Sequence, residues 1–365
     1  MDAAPVVSAI AIFPAQPHSA HLTHISLPPV GPDDVLAKTV LAGICGTDRE
    51  IVEGKLGAAP SGAHELVIGH ETLAIVEETG ANVTTFKPGD LVTATVRRPC
   101  GCPPCQAGQV DFCEWHQYTE RGIERIHGYM AERWVEHERY LIPVSAKLGD
   151  LGVLIEPMTI AEKALRQALA IQQRIDGWRP RQALVYGSGP IGLLAALIYR
   201  VHDIPVVVLG RKPADCSAAH IIRAAGGEYR SVTGTTPFEA VQDLPPIDFI
   251  VECTGQSEPL FIAMQLLANN GVLAALSVTG DGGMLTVPAD AINLSFMLGN
   301  KVLVGCVNAH RDDFLAATDD LVKIEQRWPG LAGQIITHRY PAADAVDRIG
   351  KPEAGTLKAV LAFDH

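Results

Sequence analysis

Three residues far apart in the sequence carry the donor groups of an open catalytic zinc: Cys45 in Cys45-Gly46-Thr47-Asp48, His70 in Gly69-His70-Glu71, and Glu156 in Glu156-Pro157. A thiolate, an imidazole and a carboxylate leave one coordination position for water or substrate. Taken singly, each has an equally good structural role, since cysteine is often a small buried hydrophobe and histidine a satisfied core residue. A second set is denser. Cys100, Cys102, Cys105 and Cys113 follow a C-x-C-x2-C-x7-C pattern, which suits four thiolates on a closed tetrahedral zinc. The lone Gly101 between the first two makes it hard for Cys100 and Cys102 to share an ion, which leaves a three-thiolate site, or His116 as a substitute ligand, open.

A third group points to a dinucleotide. Gly187-Ser188-Gly189-Pro190-Ile191-Gly192 follows a strand-like run and opens a helix-like one, the context in which a G-x-G-x-x-G match becomes credible. Gly187 permits the tight turn, Gly189 lets backbone N–H groups approach a pyrophosphate, and Gly192 lets helix and strand pack closely. The helix N-terminus adds partial positive charge. At the end of the next strand the chain reads Val208-Leu209-Gly210-Arg211-Lys212, without the carboxylate that binds both ribose hydroxyls of NAD. Gly210 leaves room, and Arg211 and Lys212 can pair a 2′-phosphate, so NADP is expected to be preferred, with NAD a possible second cofactor. The plain alternative is two solvated surface cations.

These groups need a scaffold. The first roughly 155 residues, rich in Gly, Pro and β-branched side chains, read as short strands such as 35–42, 72–77 and 91–96. From residue 159 the texture changes to an apolar helical stripe over 159–175, ended by Gly177. Strand 182–186, a helix to about 202, strand 205–209, helix 214–225, strand 247–252, helix 258–268 and strands 271–278 and 301–307 follow. That alternation demands a parallel sheet covered by helices. Helices over 312–327 and 342–349 and a strand over 356–363 close the chain, and the terminal strand is expected to return to the first domain for a sheet edge. The expected domains are therefore 1–158, rejoined by 309–365 and bearing a cysteine lobe at about 97–116, and 159–308.

With 365 residues, 47% of them hydrophobic, each domain can bury a core, and Gly and Pro (34 and 25) show neither tripeptide period nor low complexity. The net charge of −12, from 29 basic and 41 acidic residues, repels nucleic acid and anionic membrane, so neither is expected as a partner. Residues 1–30 begin with Asp2, lack a basic region and are broken by Pro5, Pro14 and Pro17, so no secretory leader is expected. The most apolar stretch, 183–201, holds three glycines, Pro190 and Arg200, and does not read as a membrane span. The expectation is a soluble protein of the reducing cytoplasm, whose cysteine cluster serves a metal rather than disulfides.

Gly43-Ile44-Cys45-Gly46-Thr47-Asp48, Gly69-His70-Glu71, Pro88-Gly89-Asp90-Leu91-Val92, the cysteine cluster and the glycine motif together resemble the zinc-dependent medium-chain dehydrogenases over nearly the whole chain. Cys45 to Glu50, Val96-Arg97-Arg98, Leu154-Ile155-Glu156-Pro157, Gly210-Arg211-Lys212 and Val304-Gly305-Cys306-Val307-Asn308 are most similar to the archaeal-type glucose 1-dehydrogenase branch. The resemblance implies an α/β chain with a GroES-like, mostly-β catalytic domain and a Rossmann cofactor domain with a doubly wound parallel sheet. It implies that Cys45, His70 and Glu156 hold zinc, with Glu71 able to exchange onto it. Thr47, Glu120 and Asn308 are implied to approach the sugar or nicotinamide, Thr254 to join the cofactor site, and the chain to form a homodimer or homotetramer. Ala74 replaces a usual glycine, and Ile160 and Leu298 stand where some members carry polar, sugar-contacting groups.

The implied reaction moves hydride from C1 of a glucose-like aldose to the nicotinamide and gives the aldonolactone, with Thr47 and Glu156 as candidates for carrying the proton away. Another zinc-dependent polyol or alcohol dehydrogenase would use the same ligands. A non-catalytic NADP-binding sensor is the reading from a different class.

Overall fold

In the computed structural model of the chain, the described residues are 5–280 and 282–363, so Asp2 lies outside them. They group into two compact units: one from 5–156, 308–318 and 336–363, the other from the described residues of 157–307 and 319–335. Among the described residues, no helix is long and apolar enough to cross a membrane.

The first unit is built on the strand Asp34–Ile44. Val35, Ala37, Thr39 and Leu41 are buried at every second position, as one covered face requires, and Leu41 to Ile44 are all buried. The expected strand 35–42 is thus longer at both ends, 72–77 lengthens to Glu71–Thr79, and 91–96 shortens to Leu91–Ala94. The sheet runs in the order Leu141–Pro143, Leu91–Ala94, Glu71–Thr79, Asp34–Ile44, Lys358–Ala362, Ile336–Pro341, and Arg133–His137 also pairs with Asp34–Ile44. The last strand was expected to pair with a sheet edge in this unit. It lies inside the sheet, antiparallel to Asp34–Ile44 and parallel to Ile336–Pro341. Ile10, Ile12, Ile44, Leu66, Ile68, Met130, Leu361 and Phe363 form a core that also buries Ile51 and Val52 of the helix Gly46–Val52.

The second unit is a six-stranded parallel sheet in the order Glu228–Ser231, Val206–Gly210, Ala183–Tyr186, Phe249–Glu252, Val272–Ala275, Val302–Gly305. The central strands are buried along their whole length, the mark of a sheet covered on both faces. The chain winds outward from Ala183–Tyr186 to Glu228–Ser231, then returns to place Phe249–Glu252 on its other side. That reversal makes the switch point where open α/β sheets bind ligands.

Several bounds differ from expectation for local reasons. The helix expected from 159 begins at Ile155, because Pro157 is tolerated in a first turn, and after Ile171 it tightens into the 3-10 turn Gln172–Arg174. The helix expected over 214–225 starts only at Ser217, after a turn in which Cys216 N–H donates to Pro213 O at 3.2 Å. The helix expected over 342–349 splits into a 3-10 turn, Ala342–Asp344, and a short helix, Val346–Ile349. Residues 319–335, expected with the first unit, group with the second, where Asp320 pairs with His202 and Arg327 donates to Arg200 O at 3.1 Å.

Candidate active site

The donor groups of the first unit stand at the ends of its elements. Cys45 leaves the strand Asp34–Ile44 and caps the helix Gly46–Val52. The Thr47 N–H donates to Cys45 Sγ at 3.2 Å, and the Cys45 N–H donates to Asp48 Oδ2 at 2.9 Å, a reciprocal cap that aims the thiol. His70 precedes the strand Glu71–Thr79. The turn before it needs Gly69, whose φ is 89° and where a Cβ would stand 3.1 Å from the Met130 nitrogen. Glu156 sits in the first turn of the helix Ile155–Ile171, so its backbone is held by that helix.

Cys45 Sγ lies 3.2 Å from His70 Nε2. Donor atoms of His70, Glu71 and Glu156 lie within 4.8 Å of one another, as do those of Cys45, Asp48 and His70. His70 Nδ1 and Asp48 Oδ1 are buried without hydrogen bonds and stand 3.8 Å apart. So many buried polar groups so close together are costly in a plain core and suit a divalent cation. Burial pushes the Cys45 thiol up, and Asp48 adds to the effect. Burial likewise drives the Glu156 carboxyl up to about 7, against the pull of His70 and with the push of Glu71. For His70, burial disfavours the imidazolium, yet Cys45, with Asp48 and Glu156, outweighs it and holds the ring's pKa well above its usual value. Thr47 is half-buried one residue beyond Gly46.

Two buried residues here were not anticipated from sequence. Asp48 is fully buried in the first turn of the helix. Lys358, also buried, forms an ion pair with Glu71. A lone lysine within the apolar run 357–363 was the signal available for it.

Glu120 and Asn308 come together in the same unit. Asn308 Nδ2 donates to Glu120 Oε1 at 2.9 Å, and the left-handed φ of 59° at Asn308 turns its side chain back so that its own Oδ1 accepts the Ala309 N–H at 2.8 Å.

The four clustered thiols converge. Cys100 Sγ lies 3.4 Å from Cys113 Sγ and 3.8 Å from Cys105 Sγ, and Cys102 Sγ lies 3.7 Å from Cys113 Sγ. The edge of a tetrahedron with Zn–S bonds of 2.3 Å is about 3.8 Å, so the thiols fit that ion. Gly101 does not keep Cys100 and Cys102 apart from the others, and both join the cluster. His116 is exposed and lies outside it.

In the second unit the glycine motif follows Ala183–Tyr186 and opens the helix Pro190–Val201, which Gly189 caps and Pro190 begins. Gly187 has φ 131°, and a Cβ on it would stand 2.9 Å from Cys253 O. A Cβ on Gly192 would stand 2.9 Å from the Gly187 carbonyl carbon, whereas nothing lies within 4 Å of the place a Cβ would take on Gly189. The first and third glycines thus serve packing, and the second faces open space at a helix N-terminus, as an approaching pyrophosphate requires.

Gly210 departs from the reading that it leaves room for a phosphate: the Ser188 side chain and the Tyr229 hydroxyl fill that space, the latter 2.6 Å from where a Cβ would stand. Tyr229 donates to Lys212 O at 2.8 Å and so helps fix the loop that carries Arg211 and Lys212. Both cations are exposed, and among the described residues neither has an acidic partner. Thr254 lies beyond Phe249–Glu252, its N–H donating to Glu252 Oε1 at 2.7 Å.

Residues 31–146 match the alcohol dehydrogenase GroES-like domain, and with the parallel Rossmann sheet of the second unit this defines a zinc-type alcohol dehydrogenase fold, a class of oxidoreductases. Residues 149–363 match the family described as glucose dehydrogenase C-terminus. The chain belongs to the glucose dehydrogenase family. It is 43% identical over 336 residues to a glucose 1-dehydrogenase of Methanocella arvoryzae, with 91% of this chain and 93% of that one covered. It is 37% identical over 333 residues to glucose 1-dehydrogenase 1 of Caldivirga maquilingensis, with 91% and 92% covered. Among solved structures, Haloferax mediterranei glucose dehydrogenase in complex with NADP, Zn and gluconolactone superposes with a TM-score of 0.88 at 33% identity, covering 98% of this chain and 99% of that one.

Proposed function

We propose that this chain is a zinc-dependent, NADP-preferring dehydrogenase that oxidises C1 of a glucose-like aldose to the aldonolactone. The observation that carries the reading is that His70 joins two triplets of donor groups, one of Cys45, Asp48 and His70 and one of His70, Glu71 and Glu156, in a chain of the glucose dehydrogenase family. In this reading Cys45, His70 and Glu156 hold the catalytic zinc, Glu71 exchanges onto it, and Cys100, Cys102, Cys105 and Cys113 hold a structural one. Bound there, the catalytic ion would supply a Lewis acid that lowers the pKa of the C1 hydroxyl.

The protein's own groups do the rest. Glu120, Asn308, Thr47 and Glu156 orient the sugar, and Thr47 and Glu156 carry the hydroxyl proton away. Gly187, Ser188, Gly189, Pro190, Ile191 and Gly192 hold the pyrophosphate, and Arg211 and Lys212 beside Gly210 take the 2′-phosphate. Thr254 and Asn308 approach the nicotinamide end. The first unit is the catalytic domain and the second the cofactor domain. The four clustered cysteines converge at spacings that suit a metal rather than disulfides, which supports a reducing, cytoplasmic setting.

We also propose a homodimer or homotetramer. The edge strand Val302–Gly305 is apolar, with Leu303 exposed, and the helix Ala289–Gly299 exposes Leu294, Met297 and Leu298. The opposite edge, Glu228–Ser231, carries Glu228 and Arg230. Sedimentation of the native protein and of Leu303→Arg tests this, a shift of the variant toward monomer being the expected result.

The deciding experiment for the activity is NADP reduction across aldoses, polyols and simple alcohols, before and after chelation. A glucose-like aldose should be the best substrate, with activity lost on chelation and restored by zinc. A preference for polyols or alcohols would replace the substrate assignment, and tight NADPH binding without turnover of any substrate would point to a sensor.

A further inference from the structure

Arg97 stands outside the proposed metal and cofactor sites, yet its side chain is held from several sides. It lies directly opposite Glu120 across the pair of strands Arg97–Arg98 and Thr119–Arg121. Only 4% of it is exposed. Arg97 Nε donates to Glu120 Oε1 at 3.0 Å, the oxygen that also accepts from Asn308 Nδ2. Its Nη1 donates to Val110 O at 3.4 Å, in the 3-10 turn Val110–Phe112 between Cys105 and Cys113. Its guanidinium stacks on Tyr118, 3.7 Å from the ring centroid.

A planar guanidinium fixed by a ring on its face and by a backbone carbonyl at its fork is preorganised, and it loses little further freedom in holding a carboxylate. With Oε1 taken by two donors, the direction of Glu120 Oε2 is set, and among the described residues Oε2 accepts no hydrogen bond. That oxygen is the one left to accept from a sugar hydroxyl.

We propose that Arg97 is a positioning residue that presents Glu120 Oε2 to the sugar, and that it couples this presentation to the cysteine lobe through Val110 and Tyr118. The inference rests on the reading that Glu120 contacts the sugar. Arg97 itself does not touch substrate. It acts by restricting a carboxylate that would otherwise turn, so its loss should weaken sugar binding while leaving cofactor binding and the chemical step largely alone.

The test is a double-mutant cycle on the zinc-loaded enzyme with Arg97→Met, Glu120→Gln and the pair, reading sugar KM, kcat and NADP KM, with gluconolactone Kd by calorimetry and zinc content alongside. Arg97→Met should raise the sugar KM and the lactone Kd about tenfold, change kcat less than about threefold, and leave NADP KM and zinc content unchanged. Arg97→Lys should recover part of the loss. In the Glu120→Gln background, Arg97→Met should add less than about twofold.

Additive losses in the cycle, or a fall in kcat and zinc content together with the rise in KM, would overturn the proposal. If Glu120→Gln leaves the sugar KM unchanged, the sugar-contact reading of Glu120 fails and takes this inference with it. If Glu120→Gln raises KM but Arg97→Met does not, the inference alone fails. Should Arg97→Met not fold, Arg97→Lys carries the same cycle, since it keeps the charge but loses the fork and the bond to Val110.

Discussion

Lys358, on the last strand of the chain, forms a buried ion pair with Glu71, the neighbour of His70. The pair exists because Gly43, directly across from Glu71, has no side chain: a Cβ there would come within 2.9 Å of the Glu71 carboxyl carbon. The register of the terminal strand, with Ala359 opposite Ile44, sets Lys358 beside this gap. One lysine thus supplies positive charge to a pocket otherwise crowded with Asp48, Glu71, Glu156 and Cys45.

Breaking that pair should be costly. Lys358→Met leaves the Glu71 carboxylate buried without its cation, and the zinc-loaded protein should lose about 3–5 kcal/mol of stability in urea denaturation. Adding Glu71→Gln should return more than half of the loss, and a neutral Lys358→Met would show that the pair contributes nothing.

Acid should weaken a second buried network. Arg98 Nη2 and Arg121 Nε donate to Glu136 Oε2 at 2.5 and 2.9 Å. Burial works against the charge, but Arg121 and Arg98 prevail and hold the Glu136 carboxyl below its ordinary value of 4.5. A carboxylate with a depressed folded pKa stabilises fully above its unfolded pKa and loses that contribution as the pH falls through the folded one. The stability gap between the native chain and Glu136→Gln should therefore be constant near neutrality and shrink below about pH 4.5. A gap that stays flat down to pH 3 would contradict this.

Cofactor choice should turn on Arg211. If its guanidinium pairs the 2′-phosphate, Arg211→Ala forfeits a charge-assisted hydrogen bond of about 1.5–3 kcal/mol, a tenfold to hundredfold rise in the NADP KM. The KM for NAD should barely move. Equal effects on both cofactors would mean that the residue holds the loop rather than the phosphate.

The cysteine lobe should depend on its ion. Cys102, Cys105 and Cys113 are themselves the buried centre of that lobe, with Val110 and Tyr118 packed on them. Cys102→Ser should lower the zinc content by one ion per chain and speed hydrogen exchange around residues 97–120, with the sheet Asp34–Ile44 to Glu71–Thr79 still protected. Unchanged metal content in this variant would remove the structural zinc from the account.

The chemistry-bearing motifs were legible because each is local. A glycine-rich turn between strand and helix, or thiols a few residues apart, announce themselves wherever the chain goes. The parallel sheet was legible for a similar reason: apolar strands alternating with helical stripes allow few other arrangements. Less could be read where a neighbour in space sets the meaning. Gly210 looked like room for a phosphate, yet Ser188 and Tyr229 fill that room. The helix carrying Glu156 starts earlier than its stripe suggested, since Pro157 fits a first turn as well as it marks a boundary.

By itself the sequence determined the donor types, the glycine turn and the alternation of elements, because these depend on side-chain chemistry and on periods of two and 3.6 residues. Only the tertiary structure decided that Lys358 meets Glu71, that Arg97 and Asn308 share one oxygen of Glu120, and that the terminal strand runs inside a sheet. Those contacts join segments distant in sequence, and their partners follow from strand register and packing, which no single segment specifies.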